Sequence, residues 1–245
     1  MCSDQSKDTL YSEPHEPLAD FAFDARVAAI FPDMIRRSVP GYATLCGFLG
    51  LIAGEYAQPD SRLYDLGCSL GAATLAMRRR ITQPGCRLIA VDNSPAMVDG
   101  CRENVAADNA PTPVDVVCAD IRAIAIEHAA VVTMNFTLQF IAPDERLALL
   151  QRIHDGLLPG GVLLLAEKLR FADGTEQATL EQLHLAFKRA NGYSELEISQ
   201  KRAALERVLV PDTLEQHRAR LHAAGFGQVH LCFQAFNFAA LIAIR

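Results

Sequence analysis

The stretch Asp65-Leu66-Gly67-Cys68-Ser69-Leu70-Gly71 decides the fold. It continues a short apolar run, Arg62-Leu63-Tyr64-Asp65, and leads into a helical pattern from Gly71 to Arg80. A strand that ends in a glycine-containing loop and opens into a helix is the first unit of a doubly wound α/β sheet. Glycines in such a turn let the backbone approach a ligand closely. A dinucleotide requires Gly-x-Gly-x-x-Gly around its pyrophosphate. Here the pattern is Asp65-x-Gly67-x-x-x-Gly71, with Ser69 where a middle glycine is often found. The Asp65 carboxylate repels phosphate and suits an amino group. The loop therefore fits a ligand with an amino acid and a sulfonium better than a dinucleotide.

Outward from the loop, strand-like and helical segments alternate. Arg87 to Asp92 reads as the second strand, and Val114 to Cys118 as the third. Ser94 is placed to cap a helix with Pro95 at its first position, running to about Ala107. Ala130 to Asn135 is the fourth strand. A helix from Pro143 to Gly156 follows, with Leu147, Leu150 and Ile153 on one face. Pro159-Gly160-Gly161 reads as a turn into the fifth strand, Val162 to Ala166. Near the end, Thr213-x-x-Gln216 is a capping box for a helix that stops at Gly225. Gln228 to Phe233 and Phe238 to Ile244 then form a closing antiparallel pair. The expected fold is α/β: a doubly wound, mostly parallel seven-stranded sheet, Rossmann-like, with a closing antiparallel strand and helical lid insertions.

Two segments lie outside the alternation. The one from Phe21 to Tyr56 looks helical after Pro40. The other, Lys168 to Val210, places Leu180, Leu183 and Phe187 at helical spacing, ends that helix at Asn191-Gly192, and opens another with the capping box Ser194-x-x-Glu197. Both are expected to cover the carboxyl ends of the strands, where open α/β sheets bind ligands. The organisation read from the chain is a flexible N-terminal arm over 1–20 and a single α/β domain over 21–245. That domain carries a helical cap over 21–60 and a helical insertion over 168–210.

With 245 residues, half of them hydrophobic, the chain can build one sizeable core. A net charge of −6 argues against a surface that holds bare nucleic acid. No apolar run approaches the length that spans a bilayer, and the N-terminus lacks the apolar stretch of a signal peptide. The 7 cysteines are scattered and include no Cys-x-x-Cys pair, so the expectation is a reduced cytoplasmic protein without a metal site.

Three strand ends extend the site. Asp92 follows the loop by about twenty residues, where a carboxylate can accept both ribose hydroxyl protons. Asp120 ends the third strand, where a side-chain acceptor can reach an adenine amino group. Asn135 ends the fourth strand beside the reacting centre. Taken singly, each is explained as a helix cap or turn residue. In this order they resemble the class I S-adenosylmethionine-dependent methyltransferase fold, with S-adenosylmethionine as the ligand.

A narrower resemblance runs from about residue 18 to residue 243. The chain is similar to the carboxy-S-adenosyl-L-methionine synthase family in 31–42, 65–74, 92–97 and 135–140, and above all in Phe187-Lys-Arg-Ala-Asn-Gly-Tyr-Ser-Glu-Leu-Glu-Ile-Ser-Gln-Lys-Arg202. The resemblance implies a synthase that converts S-adenosylmethionine and prephenate to carboxy-S-adenosylmethionine and phenylpyruvate. It implies a homodimer whose product a partner tRNA carboxymethyltransferase uses to make oxyacetyluridine at the wobble position, with no direct nucleic-acid contact and no membrane. Carried over by residue, Tyr42 contacts the amino acid end, and Gly67, Cys68 and Ser69 supply the loop contacts. Asp92 and Asn93 hold the ribose, Asp120 and Ile121 flank the adenine, and Asn135 lies near the methionine portion. Arg202 pairs with the added carboxylate.

A planar guanidinium binds a carboxylate through two parallel bonds, which Lys201 beside it does not imitate. Without the resemblance, Arg202 reads as one more cation on a solvated helix face, as Lys201 does. The implied chemistry needs no strong base, because loss of carbon dioxide and hydroxide makes the prephenate ring aromatic. The hydroxide can take a sulfonium-methyl proton, and the methyl carbon can then capture the carbon dioxide. His184 and His217, both in helical patterns, read as surface or core residues. Two other functions stay open at this stage: an ordinary methyltransferase acting on a small molecule or RNA, and a non-catalytic carrier of the modified cofactor.

Overall fold

Strand β1 (Arg62–Leu66) occupies the middle of the sheet, and its residues 63–66 are buried. The computed structural model describes Asp8, Leu10, residues 23–205 and residues 208–245. The reading of residues 1–20 as an arm otherwise lies outside the described residues. β2 (Arg87–Asp92) pairs in parallel on one side of β1, with Asp65 opposite Ala90, and β4 (Ala129–Asn135) on the other. β3 (Val114–Cys118) flanks β2, and β5 (Leu157–Lys168) flanks β4, both in parallel. β7 (Phe238–Ile244) runs antiparallel to β5, and β6 (Gln228–Ala235) antiparallel to β7. The order is β3-β2-β1-β4-β5-β7-β6. The chain moves outward from β1 to β3 and then returns to the far side of β1. The crevice at the carboxyl ends of β1 and β4 is therefore the topological switch point.

Alternate residues of the strands point to opposite faces. Tyr64, Leu66, Met134 and Leu165 pack beneath α5 (Arg146–Gly156) and α8 (Leu214–Ala223) with Leu150, Leu221 and Phe226. Leu63, Leu88, Val131 and Leu164 face the other way, against Leu45 and Leu49 of α2 (Tyr42–Tyr56) and Met77 of α3 (Ala72–Arg78). α1 (Ala25–Ser38) meets α4 (Pro95–Ala107) through Val27, Met34 and Met97. Ser94 caps α4, and the Thr213–Gln216 box caps α8, each as its spacing predicts.

The structure departs from the local reading at several points. The segment before Pro40 is helical too. α1 runs through Pro32, with Asp24 accepting the Val27 N–H at 3.0 Å and Val27, Met34 and Arg37 buried. Packing of that face outweighs the hydrogen bond that Pro32 cannot donate. Pro159-Gly160-Gly161 does not precede β5 but lies within it. The pairing with β4 shifts register between Ala129 and Val131, and Gly160 takes φ +74, so these residues form a bulge. Residues 143–145 make a turn, and α5 begins at Arg146. A short 3₁₀ helix, Leu138–Phe140, follows β4 where no element was expected.

The insertion forms α6 (Gly174–Ala190) and α7 (Glu195–Leu205). Ser194 and Glu197 exchange the two bonds of a capping box, at 2.7 and 3.2 Å. The inner face of α6 is not the Leu180–Leu183–Phe187 stripe. Leu183 is 43% exposed, whereas His184 and Lys188 are buried. Among the described residues, no helix is long and apolar enough to cross a membrane.

Candidate functional site

The loop after β1 is held by its own backbone. The N–H groups of Gly67 and Cys68 both donate to Val91 O, at 2.8 and 2.9 Å, and Gly71 N donates to Cys68 O at 2.8 Å. Gly67 and Gly71 each sit at φ +85. A Cβ on Gly67 would strike Thr137, and one on Gly71 would strike Cys101 Sγ. Both positions thus need glycine for conformation and for space. Ser69, in place of the middle glycine, nonetheless takes φ +50. Its N–H donates to Asp92 Oδ2 at 2.9 Å, which offsets that strain.

Asp65 is fully buried. Thr74 Oγ1 donates to its Oδ2 at 2.5 Å, while Oδ1 has no hydrogen-bond partner among the described residues. Burial pushes its carboxyl up to about 6. An orphaned buried carboxylate oxygen at the mouth of the loop is what an ammonium group would complete. Asp92 is half-buried. Its Oδ1 accepts the Ser94 N–H at 2.9 Å while Oδ2 holds Ser69. Burial raises its carboxyl, and these backbone N–H groups oppose the rise. Each carboxylate oxygen retains capacity for a further donor. Asn93 beside it is exposed.

Asp120 is engaged by a residue the sequence reading missed. Arg122 Nη2 meets its Oδ2 at 2.6 Å, the Arg122 N–H reaches its Oδ1 at 2.8 Å, and Arg122 Nη1 reaches Glu145 at 2.7 Å. These contacts hold the Asp120 carboxyl below the usual carboxylate range. Ile121 is buried next to it. At the end of β4, Asn135 Oδ1 is buried without a hydrogen-bond partner among the described residues, as is Thr133 Oγ1. Phe136 then adopts φ +61, a conformation that an aromatic residue rarely takes. Its ring lies between Tyr42, at 6.4 Å, and Phe238, at 5.7 Å.

The opposite wall is cationic. Arg202 on α7 is half exposed, and Glu181 of α6 holds its Nη2 at 2.9 Å. Lys201 is not on a solvated face. It is 3% exposed, and its ammonium donates to Ser38 Oγ at 2.9 Å, Tyr193 OH at 3.0 Å and Asp8 Oδ2 at 3.3 Å. Burial lowers it to about 8. His184 is a core residue whose Nε2 donates to Ser38 O at 2.8 Å, and burial depresses it to about 3. His217 is also buried, away from this wall.

All ten residues singled out in the sequence line one cavity of about 700 Å³: Tyr42, Gly67, Cys68, Ser69, Asp92, Asn93, Asp120, Ile121, Asn135 and Arg202. α1, the start of α2, α6 and α7 supply its outer walls. Missed in the sequence were Arg122, Lys168 and Lys188. The only local signal for Lys188 is the polar series Gln177, Glu181, His184, Lys188 at helical spacing. The glycine cradle and the orphaned oxygens of Asp65 and Asn135 fit S-adenosylmethionine, whose amino acid end supplies donors. Among the described residues, no group of three or more His, Cys, Asp or Glu side chains is placed to hold a metal.

A family model described as "Methyltransferase domain" matches residues 63–161. The chain is 60% identical to the carboxy-S-adenosyl-L-methionine synthase of Geobacter metallireducens over 239 residues, 97% of this chain and 98% of that protein. It is 56% identical to that of Shewanella piezotolerans, over 98% and 99% of the two chains. For that of Klebsiella pneumoniae the identity is 54%, over 98% and 97%. Among solved structures it resembles an O-methyltransferase family protein from Burkholderia thailandensis, with TM-score 0.63, 21% identity and coverage of 91% of this chain and 60% of that one. It also resembles the N,N-8-amino-8-demethyl-D-riboflavin dimethyltransferase from Streptomyces davawensis, with TM-score 0.60, 17% identity and coverage of 88% and 57%. At these identities the structural likeness speaks for the fold.

Proposed function

This chain belongs to the carboxy-S-adenosyl-L-methionine synthase family, and from that premise we propose its reaction and the task of each wall of its cavity. It is an enzyme of the transferase type that forms carboxy-S-adenosyl-L-methionine from S-adenosyl-L-methionine. The second substrate is prephenate, which leaves as phenylpyruvate. One observation supports this reading most: Arg202 stands on the same cavity as the Gly67–Ser69 loop. Methyl transfer has no use for a cation beside a methyl group on an already positive sulfur. A carboxylated product does.

The cofactor end is divided among the strand ends. Gly67, Cys68 and Ser69 contact the ligand through the loop, with Tyr42 and Asn135 at its methionine portion and the open oxygen of Asp65 toward its ammonium. Asp92 and Asn93 take the ribose hydroxyls. Asp120, tied to Arg122, and Ile121 flank the adenine. Arg202, oriented by Glu181, takes the new carboxylate with two parallel bonds.

The chemistry lies in the substrates. Prephenate gives up carbon dioxide and hydroxide and becomes aromatic. The hydroxide removes one methyl proton as water, and the methyl carbon forms its new bond to the carbon dioxide. The residues of the protein hold the two molecules in reach and keep water out. α6 and α7 provide that cover. The enzyme acts as a cytoplasmic homodimer without a metal, and its product passes to a tRNA carboxymethyltransferase. The acidic net charge of −6 supports a protein that does not itself hold tRNA.

Incubation with S-adenosylmethionine and carboxyl-labelled prephenate tests the reaction. The expected product is heavier than S-adenosylmethionine by one labelled carbon dioxide, with phenylpyruvate in equal amount. An unchanged mass would overturn the prephenate assignment.

A further inference from the structure

Helix α6 turns Gln177, Glu181, His184 and Lys188 toward the cavity, each one turn from the next. Three of them have partners. Gln177 Oε1 accepts the Phe171 N–H at 2.9 Å, Glu181 holds Arg202 at 2.9 Å, and His184 donates to Ser38 O at 2.8 Å. Lys188 is 8% exposed, yet among the described residues its ammonium meets no hydrogen-bond acceptor and no ion-pair partner.

Burying an ammonium without a counter-ion is costly, so such a group sheds its proton or acquires an anion. The surroundings of Lys188 are mostly of its own sign. Desolvation, then Lys201, Lys168 and Arg202, hold it down to about 7, and Glu181 alone opposes them. Glu181 already pairs with Arg202, and Asp8 with Lys201. The wall therefore carries an amine with no counter-ion among the described residues, and an anion in the cavity would supply one. Phe136 and Phe238, edge to face at 5.7 Å, line the same cavity with apolar surface.

Prephenate has two carboxylates with different fates. The ring carboxylate is the one lost and recaptured, so it ends on the product, where Arg202 reads it. The side-chain 2-oxo carboxylate is never transferred and departs in phenylpyruvate. It needs a cation separate from Arg202. We propose that Lys188 binds this side-chain carboxylate, with the ring resting against Phe136 and Phe238. The assignment rests on the synthase reading.

Phenylpyruvate keeps the side-chain carboxylate and lacks the ring carboxylate, so it separates the two cations. Lys188→Met should raise both the KM for prephenate and the inhibition constant of phenylpyruvate by about ten- to hundred-fold, the range for one bond to a charged group. Its S-adenosylmethionine affinity should match wild type and its thermal unfolding temperature should not fall, since the variant removes an uncompensated buried amine, and Lys188→Arg should recover part of both losses. Arg202→Leu should weaken carboxy-S-adenosylmethionine and leave phenylpyruvate inhibition intact. Wild-type constants in Lys188→Met would overturn the assignment. So would an equal loss of S-adenosylmethionine binding, which would mark a purely structural lysine. Absence of wild-type turnover would overturn the synthase reading and this assignment with it.

Discussion

The backbone N–H of Ser69 donates to Oδ2 of Asp92 at 2.9 Å, across 23 residues of sequence. The same carboxylate accepts the Ser94 N–H through its other oxygen. Asp92 thus ties the loop after β1 to the cap of α4 before any ligand arrives, and the ribose hydroxyls would meet a carboxylate already fixed in place. Asp92→Ala would leave two N–H groups without acceptors, at about 1–3 kcal/mol for each that stays dry. Both the unfolding free energy and S-adenosylmethionine affinity should fall, as read by urea denaturation and calorimetric titration. Asp92→Asn, which keeps one acceptor oxygen, should lose less stability. Wild-type behaviour in the alanine variant would contradict the link.

The Asp65 carboxyl, raised to about 6 by burial, gives cofactor binding a pH dependence of defined sign. Between its ordinary value near 4 and its folded value, the folded chain holds a proton that the unfolded chain lacks. This group therefore makes the free protein less stable as pH rises through that window. Ligand binding runs the other way, because an ammonium requires the ionised carboxylate. S-adenosylmethionine affinity should weaken as pH falls below about 6, approaching ten-fold per unit. Asp65→Asn should bind weakly with no such dependence. A wild-type dissociation constant flat across this window would remove Asp65 from ammonium recognition.

Arg202→Leu should cost carboxy-S-adenosylmethionine binding about 1.5–3 kcal/mol, the scale of a bond to a charged group. S-adenosylmethionine itself should lose little. Arg202→Lys should not restore the difference, since an ammonium cannot make two parallel bonds to a carboxylate. Competition between the two ligands, followed by calorimetry, checks this. Equal losses for both would show that Arg202 does not distinguish them.

Lys201 and Asp8 form a buried pair, at 3% and 2% exposure, with Tyr193 donating to the same carboxylate. Removing one partner strands the other away from water. Lys201→Met or Asp8→Ala should each lower the unfolding free energy by about 3–5 kcal/mol. The double variant should lose less than their sum, because it leaves no stranded charge. Strict additivity in urea denaturation would contradict the pairing.

Much of this protein was legible in its linear order, wherever the deciding interactions are local. The 67–71 loop, the capping boxes at Ser194 and Thr213, and the strand boundaries at Asp92 and Cys118 follow from dihedral preference, capping and periodicity within a few residues. Strand ends that converge at a switch point then bring Asp92, Asp120 and Asn135 to one edge. Packing decided the rest. The segment from Phe21 reads as helical only after Pro40, yet the buried face of α1 holds a helix together through Pro32. Leu183 reads as core and faces solvent. Lys201 reads as solvated and is buried, because Asp8 and Ser38, 193 and 163 residues away, close over it. A helical cation carries no local mark of what will cover it. Whether it meets water, a carboxylate or an open cavity depends on segments distant in the chain, and only the tertiary structure sets Lys188, with no ion-pair partner among the described residues, on the same cavity wall as Arg202.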